Sequence, residues 1–117
     1  MAILFLALAM PAPQAALKNP VASSPESLAA GGKLYGRYCA TCHGTGGKGD
    51  GAGGAKLDPK PANLADAEWK HGATDGEVFL VIHDGSKGTG MKGFGSRMTE
   101  HELWDVVNYI RSLAPTK

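Results

Sequence analysis

The segment Cys39-Ala40-Thr41-Cys42-His43 constrains this chain more than any other feature. It contains both cysteines of the 117 residues, so neither can pair with a thiol elsewhere. A single local pair cannot provide the disulfide framework of a small secreted domain. Because a histidine follows the second cysteine directly, the three side chains can all reach one bound group.

Cys-x-x-Cys-His is the sequence of c-type haem attachment. On one turn of helix, Cys39 and Cys42 can reach the two vinyl groups on one edge of a haem and form two thioether bonds. His43 then lies beneath the iron and can supply an axial nitrogen. The motif therefore predicts one covalently attached haem c with its iron.

Three other interpretations of the motif compete with haem attachment. A redox dithiol usually occurs in a strand-rich, thioredoxin-like chain, and this sequence shows no βαβ pattern. A zinc site needs about four ligands, and no second Cys or Cys-His pair stands at a suitable spacing. A chance match is disfavoured because both cysteines fall within the motif and the chain has features of an exported protein.

The composition agrees with a bound cofactor. Aromatic residues make up only 7% of the chain and there are 17 glycines, which gives a weak apolar core for so short a protein. A covalently held haem would supply the missing apolar surface. The 12 Lys and Arg nearly balance the 11 Asp and Glu, so the chain lacks the basic excess that nucleic-acid binding requires.

Residues 1–16 are predicted to be a signal peptide. An apolar run from Ile3 to Met10 is followed by small residues and prolines. The run is shorter than the about 20 residues that a membrane-spanning helix needs, so no transmembrane span is expected. Location in the periplasm, or export in another form, is the expectation. No Lys or Arg precedes the run, which leaves an upstream start or a retained N-terminal anchor open.

The remainder of the chain has helical patterns and no strand pattern, so the fold class is predicted to be all-α. Residues 17–24 are assigned to a polar linker and residues 25–117 to a single domain. A first helix is predicted from Pro25 to about Tyr38, with Ser24 as its cap. A short helix is predicted over 63–70.

Two capping boxes predict the starts of the later helices, at Thr74 with Glu77 and at Thr99 with Glu102. Before the second box, Met98 is placed to form a hydrophobic staple. The last helix carries an apolar face made of Leu103, Val106, Val107, Ile110 and Leu113. The glycine-rich segment 44–60 is expected to be an ordered loop around the cofactor. Residues 85–97 are predicted to be a second glycine-rich loop, which is flexible around Met91.

A second axial ligand must come from outside the motif. Met98 suits core packing, whereas Met91 lies among glycines in a loop and has no helix face to serve. Met91 is therefore predicted to be the sixth ligand. His71, His83 and His101 are expected in a turn, at a helix end and in solvent, and are minor alternatives.

With these features together, the sequence resembles the class I mono-haem c-type cytochromes over residues 26–113. Four pieces carry the resemblance: Gly31-x-x-x-Tyr35 before the Cys-x-x-Cys-His motif, Gly49-Asp50-Gly51, Gly90-Met91 with Phe94, and the segment from Val106 to Arg111. The resemblance implies a class I cytochrome c fold, in which the N- and C-terminal helices cross and short helices and glycine-rich loops surround one covalent haem.

The resemblance also implies particular contacts. Gly31 and Tyr35 would meet Val106 and Tyr109 where the helices cross, since glycine permits close approach of two backbones. His43 and Met91 would be the axial ligands, and Trp69 would lie near the haem propionates.

The sequence departs from these cytochromes at two positions. Relatives often have proline after the ligand methionine, where this chain has Lys92. They also often have proline in place of Ala52, near the carbonyl expected to orient the haem histidine.

The function predicted from these residues is one-electron transfer, without catalysis by the chain itself. Expected partners are redox proteins: a quinol-oxidising complex, a terminal oxidase or reductase, or a periplasmic dehydrogenase, met near a membrane by a monomer in transient complexes. Lys48, Lys87 and Lys92 either surround the haem edge or are ordinary solvated lysines. Two alternatives stay open: an enzyme that binds gases or peroxide if Met91 dissociates, and a haem domain of a larger oxidoreductase.

Overall fold

The computed structural model describes residues 17–66 and 74–114. Helices α1 (Pro25–Tyr38), α2 (Ala40–His43), α3 (Asp75–Asp84) and α4 (Glu100–Leu113) form its framework, with a 3₁₀ helix at Ala52–Gly54. The described ranges contain no β-strand, only an isolated bridge between Gly85 and Lys92. The all-α prediction is thus confirmed.

Some predictions fall on residues that the structure does not describe. The signal peptide at 1–16, Trp69 and His71 all lie outside the described residues. Within 17–66 and 74–114, no helix is both long enough and apolar enough to cross a membrane.

Side-chain caps determine where the long helices begin. The Ser24 hydroxyl accepts a hydrogen bond of 3.1 Å from the main chain of the first turn of α1. Thr74 accepts one of 3.2 Å from the Glu77 N–H at the start of α3. At α4, Thr99 and Glu102 form both bonds of a capping box, at 3.1 and 2.9 Å. These bonds satisfy N–H groups that the helices leave unpaired, and they confirm the predicted starts.

Residues 63–66 form a turn. The prediction of a short helix over 63–70 is therefore wrong for residues 63–66, the part of this range that the structure describes. The Asn63 Oδ1 accepts a hydrogen bond of 3.0 Å from the Ala65 N–H. Such a bond from an asparagine to the chain two residues on competes with helical pairing.

Helices α1 and α4 cross at Gly31, as the resemblance implied. Gly31 is buried against the main chain of Asp105, and a Cβ at this position would overlap the Asp105 carbonyl oxygen and lie 3.0 Å from the Tyr109 Cβ. The closest partner of Gly31 on α4 is therefore Asp105 rather than Val106. Tyr35 is 1% exposed, and its ring centroid lies 5.2 Å from that of Tyr109.

Three buried polar side chains join the two helices beside this crossing. Ser27 donates a hydrogen bond of 2.6 Å to the Asp105 carboxylate and accepts one of 2.9 Å from the Asn108 amide. The same amide donates to the main-chain carbonyls of Val21 and Ala22, at 3.2 and 3.4 Å. Residues assigned to a linker from the sequence are thereby held against α4.

The apolar core lies between α4 and the elements packed on it. Leu103, Val106 and Val107 are fully buried, and Trp104 stacks on Phe79 of α3 with ring centroids 4.2 Å apart. Met98 is 6% exposed and belongs to this core, which confirms its predicted packing role.

The close approach at Gly31 predicts a difference between two glycines of the same helix. Replacing Gly31 by Ala forces α1 away from α4, and we expect the free energy of unfolding to fall by about 1–3 kcal/mol, as for overpacked cores. Gly36 is exposed, and a Cβ added there would have no other atom within 4 Å, so Gly36→Ala is the matched control. Gly36→Ala should stabilise the protein by about 0.5–1 kcal/mol because alanine favours the helix. Denaturant unfolding measures both effects. Equal changes in the free energy of unfolding for the two variants would contradict the close approach at Gly31.

Candidate functional site

A cleft with a volume of about 570 Å³ opens beside the core. Cavities of about 300–1,000 Å³ are typical of ligand sites. All four predicted site residues line it: Cys39, Cys42, His43 and Met91. The rest of the lining is mainly apolar and includes Tyr38, Leu57, Pro59, Pro61, Leu64, Val78, Val81, Ile82, Phe94 and Ile110.

The turn between α1 and α2 presents the two thiols to the cleft. The Cys39 N–H continues the bonding of α1 by donating to the Tyr35 carbonyl at 2.8 Å. The Cys39 carbonyl then accepts from the N–H groups of Cys42 and His43, at 3.2 and 2.9 Å. This single helical turn places both thiols and the imidazole along one wall. The thiols are free rather than joined in a disulfide.

The state of Cys39 argues against a redox dithiol. Burial, together with the neighbouring Cys42, raises the pKa of the Cys39 thiol to about 12. Disulfide oxidoreductases need a thiolate and lower the pKa of the attacking cysteine. A buried, neutral thiol inside an apolar cleft instead suits a residue covalently joined to an apolar group.

A hydrogen bond to the main chain holds the imidazole of His43. Its Nδ1 lies 3.1 Å from the carbonyl oxygen of Ala62. Because a carbonyl can only accept, Nδ1 carries the proton, and the lone pair of the neutral ring is on Nε2. This is the tautomer that a metal-ligating histidine requires when its other nitrogen is held by the protein.

The carbonyl that holds His43 differs from the one expected near Ala52. Ala52 begins the 3₁₀ helix, whereas the acceptor Ala62 follows Pro61 farther along the chain. The expectation for Ala52 is therefore wrong. A main-chain acceptor carries no side-chain signature, and the only signal available in the sequence was the pair of prolines at 59 and 61.

The loop after His43 is ordered by main-chain bonds. The Gly49 N–H donates to the His43 carbonyl at 2.8 Å, and the Leu64 N–H donates to the Gly47 carbonyl at 2.5 Å. Gly49 has a φ of 80°, and a Cβ there would lie 2.6 Å from the Pro61 carbonyl oxygen. Glycine is required at this position because the backbone is left-handed and another stretch of chain lies directly against it.

Met91 lines the cleft from the second glycine-rich loop. Its carbonyl accepts from the Ser86 N–H, and its N–H donates to the Thr89 hydroxyl, both at 3.1 Å. The Phe94 N–H donates to the Ile82 carbonyl at 2.8 Å, which ties the loop to the end of α3. The expected flexible loop is thus fixed by hydrogen bonds.

The two loops meet beside Met91. A Cβ at Gly90 would lie 2.8 Å from a terminal methyl of Leu57, so the chain before Met91 packs directly on the first loop. Met98 does not line the cleft. His83 lies outside it with Nδ1 2.7 Å from an Asp84 carboxylate oxygen, and the His101 side chain is 72% exposed.

The charged residues of the cleft match the sequence prediction only in part. Of the three lysines for which two alternatives were left open, Lys92 lines the cleft, whereas Lys48 and Lys87 do not. Lys60 and Asp66 also line it and were not singled out from the sequence.

Comparison with known proteins identifies the type of domain. Residues 26–110 match the family model described as cytochrome c oxidase, cbb3-type, subunit III. The chain belongs to this family of c-type cytochrome domains. Its cofactor is a covalently bound haem c with iron, and the cleft fits such a group in size, apolar lining and donor atoms.

Curated relatives of this cytochrome are longer proteins. It is 32% identical to a cbb3-type cytochrome c oxidase subunit CcoP of Azospirillum sp. (strain B510), over 74% of this chain and 31% of that protein. It is 30% identical to the quinohemoprotein alcohol dehydrogenase ADH IIB of Pseudomonas putida, over 87% of this chain and 13% of that protein. The chain thus spans at most about a third of the length of these relatives.

Solved structures share the fold. The KustC0563 c-type cytochrome superposes with a TM-score of 0.59 at 31% identity, covering 73% of this chain and 98% of its own. A chain of the Kuenenia stuttgartiensis reducing HAO-like protein complex Kustc0457/Kustc0458 superposes with a TM-score of 0.75 at 29% identity, covering 82% and 47% of the two chains. The class I cytochrome c fold predicted from the sequence is confirmed.

Removing both thiols should prevent stable folding of this cytochrome. In a Cys39→Ala, Cys42→Ala variant we expect no haem to survive denaturing electrophoresis and no cooperative thermal transition, because an apolar cleft would be left unfilled. Thr41→Ala, which changes an exposed residue between the cysteines, should retain haem and a sharp transition. A sharp transition in the haem-free double variant would contradict this account.

Proposed function

We propose that this cytochrome is a one-electron carrier in which Cys39 and Cys42 attach the haem and His43 and Met91 are the axial ligands of its iron. The observation that carries the proposal is the arrangement of the cleft. His43, at the end of α2, and Met91, in the second glycine-rich loop, line the same cavity, and the chain around each is held by hydrogen bonds. A nitrogen and a thioether from two separate segments that line one apolar cleft suit axial coordination of a haem iron.

The residues of the cleft adapt the cofactor to electron transfer. When bound, haem iron can exist in ferric and ferrous forms that differ by one electron. The thioether of Met91 is a soft ligand that favours the ferrous form and so raises the reduction potential. The imidazole of His43 is kept in one tautomer by Ala62. The apolar lining excludes water and lowers the local dielectric, which also tunes the potential.

The same arrangement favours a carrier over an enzyme. With His43 and Met91 both bound to the iron, neither axial position would be open to a substrate. Enzymatic activity on gases or peroxide would need Met91 to leave. Its main chain is bonded on both sides to Ser86 and Thr89, which supports retention of the ligand.

Partners are proposed from the relatives and from the charges at the cleft. The matched proteins include an oxidase subunit and a dehydrogenase, so a terminal oxidase or a dehydrogenase is the proposed exchange partner. Lys60 and Lys92 outnumber Asp66 among the charged residues of the cleft and would attract an acidic docking surface. The apolar segment predicted to be a signal peptide supports an exported, periplasmic location.

The two described methionines provide a matched test of the axial ligand. Met91→Leu removes the thioether from the cleft, and we expect the reduction potential to fall by on the order of 100 mV, since axial ligands set haem potentials over a range of about 0.8 V. Met98→Leu makes the same change in the core and should leave the potential unchanged. Redox titration measures both. A fall in Met98→Leu alone would assign the ligand to Met98.

Ligand access tests the distinction between carrier and enzyme. The reduced wild-type protein should bind carbon monoxide slowly or not at all at neutral pH, because Met91 fills the position. Met91→Ala, in which that position is left open, should bind it rapidly. Rapid binding by the wild-type protein, measured by stopped-flow absorption, would overturn the carrier proposal in favour of an open-site enzyme.

A further inference from the structure

The hydroxyl of Tyr35 occupies an unusual place for a core residue. The side chain is 1% exposed at the crossing of α1 and α4, and its hydroxyl donates a hydrogen bond of 2.6 Å to the carbonyl of Gly44. Packing against Tyr109 requires only the ring. Burying a hydroxyl is costly unless it is bonded, so a phenylalanine would serve the crossing equally well. The bond to Gly44 is therefore the interaction that distinguishes this tyrosine from a phenylalanine.

Gly44, the acceptor, immediately follows the proposed iron ligand. Its carbonyl also accepts from the Gly47 N–H at 3.1 Å. The Gly47 carbonyl in turn accepts from the Leu64 N–H at 2.5 Å. Leu64 stands two residues after Ala62, whose carbonyl oxygen is 3.1 Å from the His43 Nδ1. Hydrogen bonds and short stretches of main chain thus connect the Tyr35 hydroxyl, through the loop, to the segment that carries the acceptor of the imidazole proton.

Burial also keeps Tyr35 in the form that this role needs. Loss of hydration raises the pKa of the Tyr35 hydroxyl above its ordinary value, with further contributions from Cys39, Tyr109 and Asp50. The group therefore stays protonated and acts as a donor to Gly44 throughout the neutral range.

We propose that Tyr35 is a positioning residue for His43: its hydroxyl, bonded to the Gly44 carbonyl, holds the loop so that the Ala62 carbonyl accepts the Nδ1 proton of the ligand. This inference rests on the proposed function, in which His43 is an axial ligand. Through the Tyr35 hydroxyl, the helix crossing then affects the orientation of the His43 imidazole.

The proposed role of Tyr35 predicts how the reduction potential changes when its hydroxyl is removed. A hydrogen bond from Nδ1 to a carbonyl increases the basicity of the coordinating nitrogen. A more basic imidazole favours the ferric form and lowers the potential. Loosening the Ala62 contact should therefore raise the potential and expose the Nδ1 proton to solvent.

Tyr35→Phe removes only the hydroxyl and preserves the ring at the crossing. Tyr109→Phe is the matched control, because its ring packs on Tyr35 from α4 and its hydroxyl makes no hydrogen bond to any described residue. We expect Tyr35→Phe to raise the reduction potential and to speed solvent exchange of the His43 Nδ1 proton, followed by NMR of ¹⁵N-histidine in the reduced protein. Tyr109→Phe should change neither quantity.

The outcomes separate this inference from the proposed function. An unchanged potential and unchanged Nδ1 exchange in Tyr35→Phe, with wild-type spectra of His/Met ligation, would overturn the positioning role alone, even if the variant were less stable. Equal shifts in both variants would also overturn it, since they would reflect packing of the crossing. Absence of a histidine ligand in the wild-type protein would overturn both proposals.

Discussion

The crossing of α1 and α4 is the constraint on which the rest of the structure depends. It is possible because Gly31 brings the α1 backbone against the main chain of Asp105. The buried bonds among Ser27, Asp105 and Asn108 fix how the helices meet, because a polar group left unpaired there would be destabilising. Among the described residues, no buried side-chain nitrogen or oxygen lacks a partner. The crossing thereby fixes the place of the C-terminal end of α1 in the fold, and with it the position of the two cysteines.

From that point the site is built by the short helix α2 and by two loops. One loop follows His43 and supplies the carbonyl that holds its ring, and the other carries Met91. Loops with so many glycines lack side chains to form a core of their own, and the haem supplies the apolar surface that they surround. The cofactor therefore contributes to the stability of the protein as well as to its chemistry, since anything that binds only the folded chain shifts the folding equilibrium toward it.

Local patterns in the sequence predicted much of this arrangement. The attachment motif, the caps at Ser24, Thr74 and Thr99 and the choice of Met91 over Met98 as a cleft residue all depend on neighbours within a few positions. Features created by distant contacts were missed. The Ala62 carbonyl has no side-chain signature, and its role arises only when the chain folds back on His43. The turn at Asn63 likewise arose from a side-chain bond that competes with helix formation.

The central claim is that one covalent haem c is held with a histidine and a methionine as its axial ligands. The most direct test is the absorption spectrum of the wild-type chain, produced with a c-type haem maturation system, in the oxidised and reduced states. The account predicts sharp reduced bands of a c-type haem and a weak red band from sulfur–iron charge transfer in the oxidised protein. Haem without the sulfur band would contradict methionine ligation, and absence of covalent haem would contradict the whole account.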